Sequence, residues 1–361
     1  MARPLLIPYV SKQIMDGLHL MKKHLGKYSL IALFGMIVLL SASVSHAGQT
    51  PQVSFLYQLS TFTGKAEVGA WPRIIVDPVN SEVYVLSDEL RVFNQSGMET
   101  YTMASSVTDE KAGERPIIDA VVKKNGDIIF LVHVADQGKL TYYCTVADFR
   151  GEPLSRIEMK NFPSDLADFI PDRMLSLNGL IYLASSSRLQ IVVVNEEGSY
   201  QRSYNIMSLL QKQESGEWEG AKNKKSLRKR GMDEVEYEIG DFSTDREGNI
   251  FFTLPVVGSA YKLTPDLQLT LISKRGSGPG KFGIPSAIIT DTKGNYLVSD
   301  ILKSVVMVFD KDLNYIGSFG GRNNGQESLI VPRGLVMDEN NRLYVSQTDV
   351  LGVSVFQFTY D

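Results

Sequence analysis

The sequence predicts an all-β chain built from repeated four-stranded antiparallel units, and three observations predict it. A meander of short apolar runs recurs along the chain, the turn inside it recurs at a regular spacing, and the two ends hold complementary pieces of one unit.

The unit is clearest over Ile284–Asp310 and the strand that follows. Pro285 precedes the apolar run Ala287-Ile288-Ile289, which ends at Asp291, and a Lys293-Gly294 turn leads to Tyr296-Leu297-Val298 and Ser299-Asp300. Val305–Phe309, a turn at Asp310-Lys311-Asp312, and Tyr315–Phe319 complete it. Short β-rich runs separated by turn residues are the pattern of an antiparallel meander. Its first three strands recur from Pro332 and from Pro72, and weaker copies start at Pro116, Pro171 and Ile239.

The first turn of each unit falls at Asn80, Gly126, Gly179, Gly248, Gly294 and Asn340, giving gaps of 46, 53, 69, 46 and 46 residues. A polar, charge-dense insertion at about Ser208–Arg230 accounts for the largest gap. A four-stranded repeat of this length is a propeller blade, and blades packed face to face cover both sides of their middle strands. Continuous apolar runs, rather than clean alternation, follow from that double burial. The last unit stops after three strands, whereas Val53–Leu59 is a spare strand ahead of the first. Docking that strand as the missing fourth closes the ring and removes an open edge. The expectation is a six-bladed β-propeller over residues 48–361.

Residues 1–47 read differently. Met21-Lys22-Lys23 and Lys27 give a positive start, an apolar run follows from Leu30 to Leu40, and small residues extend to Ala47. That order predicts a secretory signal peptide cleaved after Ala47, and the run is short of the ~20 residues a membrane span needs. Residues 1–20 add nothing to the signal, which leaves Met21 or Met15 open as the start. The expected location is periplasmic or secreted, with no stable membrane span after cleavage. The chain carries 37 basic and 41 acidic residues, and removal of five basic and one acidic residue leaves a net charge of about −8. An acidic exported protein is a poor nucleic-acid ligand.

Gly276-Ser277-Gly278-Pro279-Gly280-Lys281-Phe282-Gly283-Ile284-Pro285, with Ile288-Ile289-Thr290-Asp291, Gly294–Asp300 and Val306–Asp310, resembles the NHL repeat. The resemblance is close over Arg275–Gly320, fair over Val331–Phe358 and Trp71–Phe93, and faint over Arg115–Leu271, where the glycine-rich opening is missing. It implies a six-bladed propeller that serves as a binding platform, with a minority of such proteins acting as lyases or lactonase-like hydrolases. The glycines do not read as a phosphate loop, because a strand follows them where that motif needs a helix.

His133 is the only histidine after Ala47, which excludes a site built on several imidazoles. It is expected to pack in the core, and so is the sole cysteine, Cys144. Asp77, Asp88, Asp245, Asp291, Asp300 and Asp338 end strands, where carboxylates hold turns together through backbone N–H groups. Arg73, Arg115, Arg173 and Arg333 lie beside blade-opening prolines and are expected near one mouth of the central channel. Guanidinium groups there bind an anionic partner group or pair with carboxylates of neighbouring blades. The charged insertion is expected to be solvated and extra to the blade count, or to dock an acidic partner or anionic surface. No catalytic constellation and no cofactor is predicted, although a channel built of carboxylates and amides is compatible with a calcium-type ion. The favoured function is a module that binds a protein or another macromolecule. The alternative is a metal-assisted hydrolase or lyase with oxygen ligands in the channel.

Overall fold

Six antiparallel sheets follow one another along the chain in a computed structural model that describes residues 51–360, apart from 65–67, 69–71, 110–112, 216–236, 323–324 and 349–350. The signal segment and most of the charged insertion lie outside the described residues. Blade 1 is β2 (Arg73–Val76), β3 (Val83–Leu86), β4 (Glu89–Phe93) and β5 (Glu99–Ala104), preceded by β1 (Pro51–Gln58). Blade 2 runs from β7 (Gly113–Val122) through β8 (Ile128–Asp136) and β9 (Lys139–Ala147) to β10 (Pro153–Ile157). It carries an extra strand, β6 (Ser106–Asp109), paired to the start of β7. Blade 3 is β11 (Arg173–Leu177), β12 (Leu180–Ser185), β13 (Gln190–Asn195) and β14 (Tyr200–Asn205), followed by helix α1 (Ile206–Ser215). Blade 4 is β15 (Phe242–Thr244), β16 (Ile250–Leu254), β17 (Ser259–Leu263) and β18 (Leu269–Ser273). Blade 5 is β19 (Pro285–Thr290), β20 (Tyr296–Asp300), β21 (Val305–Phe309) and β22 (Tyr315–Gly320). Blade 6 is β23 (Leu335–Met337), β24 (Arg342–Ser346) and β25 (Val353–Tyr360), completed by β1.

The closing strand therefore behaves as the sequence predicts. Val53 lies opposite Phe358 and Phe55 opposite Phe356, so the first strand of the fold is the outer strand of the last blade. The chain is a six-bladed β-propeller.

Its core is divided among the blade interfaces. Six clusters of buried side chains each draw on two adjacent blades, as where Tyr182 and Val193 of blade 3 meet Phe242 and Phe252 of blade 4. The second strands β3, β16 and β20 are buried along their whole length, which explains their unbroken apolar runs. Helix α1 takes the first part of the expected insertion into this core. Ile206, Leu209 and Leu210 lie buried between blades 3 and 4, at one i, i+3, i+4 spacing.

The glycine-rich stretch crosses from blade 4 to blade 5 and delivers the chain to β19. Gly280 has φ +67°, and a Cβ there would lie 2.6 Å from Tyr315 Cβ, so this crossing needs glycine on both counts. Asp300 fixes its far end by accepting hydrogen bonds from the backbone N–H of Gly283 (2.6 Å) and Ile284 (3.2 Å).

Candidate binding site at the channel mouth

Each innermost strand begins at one mouth of the channel and runs toward the first turn of its blade. Counting back four residues from the residue at the first turn of each blade (Asp77, Lys123, in blade 3 the strand-ending Leu177, Asp245, Asp291, Asp338) gives Arg73, Asp119, Arg173, Asp241, Ala287 and Gly334. The residue after each of them, Ile74, Ala120, Met174, Phe242, Ile288 and Leu335, is buried. The six positions are therefore equivalent around the ring, and they read Arg, Asp, Arg, Asp, Ala, Gly from blade 1 to blade 6.

Charge is paired across this ring. Arg73 donates from Nε to Asp119 Oδ1 of the next blade (3.1 Å) and from an Nη to Asp241 Oδ1 of blade 4 (3.1 Å). Asp119 is fully buried and also accepts from the N–H of Ala120 (2.9 Å) and of Met174 in blade 3 (2.7 Å). Asp241 accepts from its neighbour Phe242 N–H at 2.9 Å. Burial works to lower the pKa of Arg73, but Asp119 and Asp241 outweigh it and hold the guanidinium charged. Burial pushes the Asp241 carboxyl up, and Arg73, Arg173 and the Phe242 N–H pull it back without cancelling the rise. Removing one partner from such a buried group is costly, because the others keep their charge without compensation.

Hydroxyls do the equivalent work in blades 4 to 6. Thr253 Oγ1 accepts from Asp241 N–H (3.2 Å) and donates to the Ser286 carbonyl of blade 5 (2.5 Å). Ser299 Oγ accepts from Ala287 N–H (2.9 Å) and donates to the Arg333 carbonyl ahead of blade 6 (3.1 Å). Ser346 Oγ accepts from Gly334 N–H at 2.7 Å. The matching second-strand residues of blades 1 to 3 are Leu86, Leu131 and Ala184, which have no hydroxyl.

The four arginines singled out in the sequence fall at three levels. Arg73 and Arg173 stand on the ring. Arg173 acts electrostatically on Asp241 and donates to the Asp172 carbonyl at 2.9 Å. Arg333 sits one residue ahead of the ring position, and burial depresses its pKa. Arg115 lies four residues ahead of Asp119, on the part of β7 that pairs with β6. Its Nε is buried with no hydrogen-bond partner among the described residues. Asp119 and Asp241 were not singled out by the sequence reading. The signal that finds them is the count back from the turn, because the blade-opening prolines drift by a residue or more between units.

Other polar residues meet their expectations differently. Asp77, Asp245, Asp291 and Asp338 each accept from backbone N–H groups of their own turn, and Asp300 caps the blade crossing. Asp88 is instead exposed, and the hydrogen bond at that turn runs from Ser105 Oγ to its backbone carbonyl. His133 is half-buried, and its Nε2 lies 2.7 Å from the Pro171 carbonyl at the start of blade 3. Cys144 is fully buried, which pushes its thiol up to about 12. Among the described residues no helix is long and apolar enough to cross a membrane.

No family model matches the chain, and no curated protein matches it. Among solved structures it is similar to a structural-genomics protein of unknown function from Bacteroides thetaiotaomicron. That structure is 13% identical over 86% of this chain and 76% of the other, with a TM-score of 0.53. It is also similar to a streptogramin B lyase (10% identity, 87% and 100% coverage, TM-score 0.48). The extracellular domain of a one-component system from B. thetaiotaomicron gives 11% identity, 84% and 39% coverage, and a TM-score of 0.47. At these identities the likeness is one of fold.

Proposed function

We propose that this chain is an exported, NHL-type propeller that works as a binding module and receives a macromolecular partner at the mouth where its inner strands begin. The observation that carries the reading is the bracing of Asp119 and Asp241 by Arg73. Both channel carboxylates spend oxygens on the guanidinium and on backbone N–H groups. A metal-assisted hydrolase needs several oxygen ligands turned toward one ion, so this donor set favours recognition over that alternative. An anionic group of the partner would be met by Arg173 and Arg333, with Arg73 behind them and Arg115 on the neighbouring hairpin. Export rests on the charge, apolar run and small residues that precede Gly48.

Affinity capture with the mature chain in its native host, with metal analysis of the same sample, tests the proposal. The expected result is a stoichiometric partner that is lost with Arg173→Ala or Arg333→Ala, from a protein whose N-terminus is Gly48. A stoichiometric divalent ion and no partner would overturn the proposal in favour of the metal-assisted alternative.

A further inference from the structure

Beyond the arginines at the channel, one stretch of the mouth carries a second set of cations that the fold does not use for pairing. Arg275, on the crossing from blade 4 to blade 5, donates to the Val256 carbonyl at 2.9 Å in the β16–β17 turn. Lys303, in the β20–β21 turn, donates to the Lys281 carbonyl of the same crossing. Arg322, just after β22, donates from Nε to Ser304 Oγ at 3.0 Å. Three basic side chains are thus tied to loop oxygens of two blades, and Lys281 is exposed on the crossing between them. None of these four residues is in an ion pair among the described residues. Two aliphatic side chains stand among them, Val256 (47% exposed) and Leu302 (60% exposed). Leu302 lies over the glycine crossing, where a Cβ on Gly283 would meet its side chain at 3.0 Å. The corresponding loops of blades 1 and 2 expose Asp88, Glu114 and Asp136 beside Lys139, and Glu89, which pairs with Arg91.

We infer that the loops of blades 4 and 5 form a docking surface for an extended acidic segment of a partner protein that alternates carboxylates with aliphatic residues. This rests on the binding-module reading and names the partner's chemistry. Charge complementarity selects an acidic partner, and the acidic loops of blades 1 and 2 repel the same segment, which fixes its position on the disc. A polypeptide fits better than an anionic lipid surface for two reasons. Arg275, Lys303 and Arg322 are anchored to loop oxygens instead of extending outward, which suits carboxylates at fixed spacing. Val256 and Leu302 are small aliphatic groups without the aromatic wedge of an interfacial anchor.

The test uses the mature chain and a fluorescein-labelled dodecapeptide of alternating Glu and Leu, followed by fluorescence anisotropy. Binding is expected at low salt, weakening as salt is raised, and a Lys–Leu peptide should not bind. The combined variant Lys281→Glu, Lys303→Glu, Arg322→Glu should weaken it about tenfold or more, because exposed charge contacts add modestly and reversal makes them repulsive. Leu302→Ser, which leaves every charge in place, should weaken it about threefold to tenfold by removing apolar contact. Peptide binding that survives both changes overturns the inference, and so does co-sedimentation with phosphatidylserine vesicles in place of peptide binding. If a captured partner is still held by the charge-reversed chain but lost with Arg173→Ala, the docking surface fails while the binding module stands.

Discussion

The two faces of the propeller are built from the same repeat and meet their polar requirements with a different balance of local and cross-blade bonds. On the face away from the mouth, the backbone N–H groups of the turns are satisfied within the turn, and side-chain bonds such as Thr292 Oγ1 to Asn341 add links between blades. Asp291 accepts from the N–H groups of Lys293 and Asn295, Asp338 from those of Asn340 and Arg342, and Asp310 from those of Asp312 and Asn314. At the mouth, polar groups reach across blades: Arg73 to blades 2 and 4, Thr253 to blade 5, Ser299 to the segment opening blade 6. The difference teaches where variation is tolerated. A turn that caps itself fixes its own sequence, whereas a mouth position is constrained only by what the other blades present. Function can be written at the mouth without disturbing the repeat.

The hardest blow to that division is Arg73→Met. Loss of the guanidinium leaves Asp119 and Asp241 buried without their cation, and unfolding in urea should show a loss of about 3–5 kcal/mol. Adding Asp119→Asn and Asp241→Asn should restore much of it, since the uncompensated charges are then gone. A single variant as stable as the parent would mean that the mouth is not braced by charge.

Asp291→Ala and Asp338→Ala probe the other end, and each should cost about 1–3 kcal/mol by leaving turn N–H groups without an acceptor. Each also accepts from a tyrosine hydroxyl, Asp338 from Tyr344 within blade 6 and Asp291 of blade 5 from Tyr360 across in blade 6, so Asp291 has the larger effect of the two. Neither change should alter partner affinity in a pull-down. A loss of affinity without a loss of stability would place recognition at both ends.

Glu99 sharpens the comparison at the seam where the ring closes. Burial works to raise its pKa, but hydrogen bonds from Thr102, the Phe62 N–H and Arg91 outweigh it and leave the carboxyl below its ordinary 4.5. A lowered folded-state pKa stabilises above the unfolded value and is lost as pH falls through the folded one. Glu99→Gln should therefore be less stable than the parent at neutral pH, with the two converging below about pH 4.5. Parallel stability curves down to pH 3 would show that this seam does not depend on the carboxylate.

How much of this was legible in the sequence follows the same division. Self-capped turns leave a local signature, so the ruler from Asn80 to Asn340 found the blades, and the spare strand before the first unit found the closure. The cross-channel pairing leaves none. Arg73 and Asp241 are 168 residues apart and meet only because the blades form a ring. Anchoring on prolines placed Arg115 four residues and Arg333 one residue off the ring position, and hid Asp119 and Asp241 in the weakest repeats. Helix α1 was obscured because Ile206, Leu209 and Leu210 are few apolar residues at the start of a charged stretch.

The mildest change to stability should be the most informative about function. Val256→Ser lies on an exposed turn, so it should shift stability by no more than about 0.5 kcal/mol. The same turn is held by Arg275 through the Val256 carbonyl, which the substitution leaves in place. Unfolding should then be unchanged while affinity for an acidic, aliphatic peptide falls, the reverse of what Asp338→Ala should do. Equal urea midpoints with equal peptide affinities would remove Val256 from the docking surface and leave the cations to act alone.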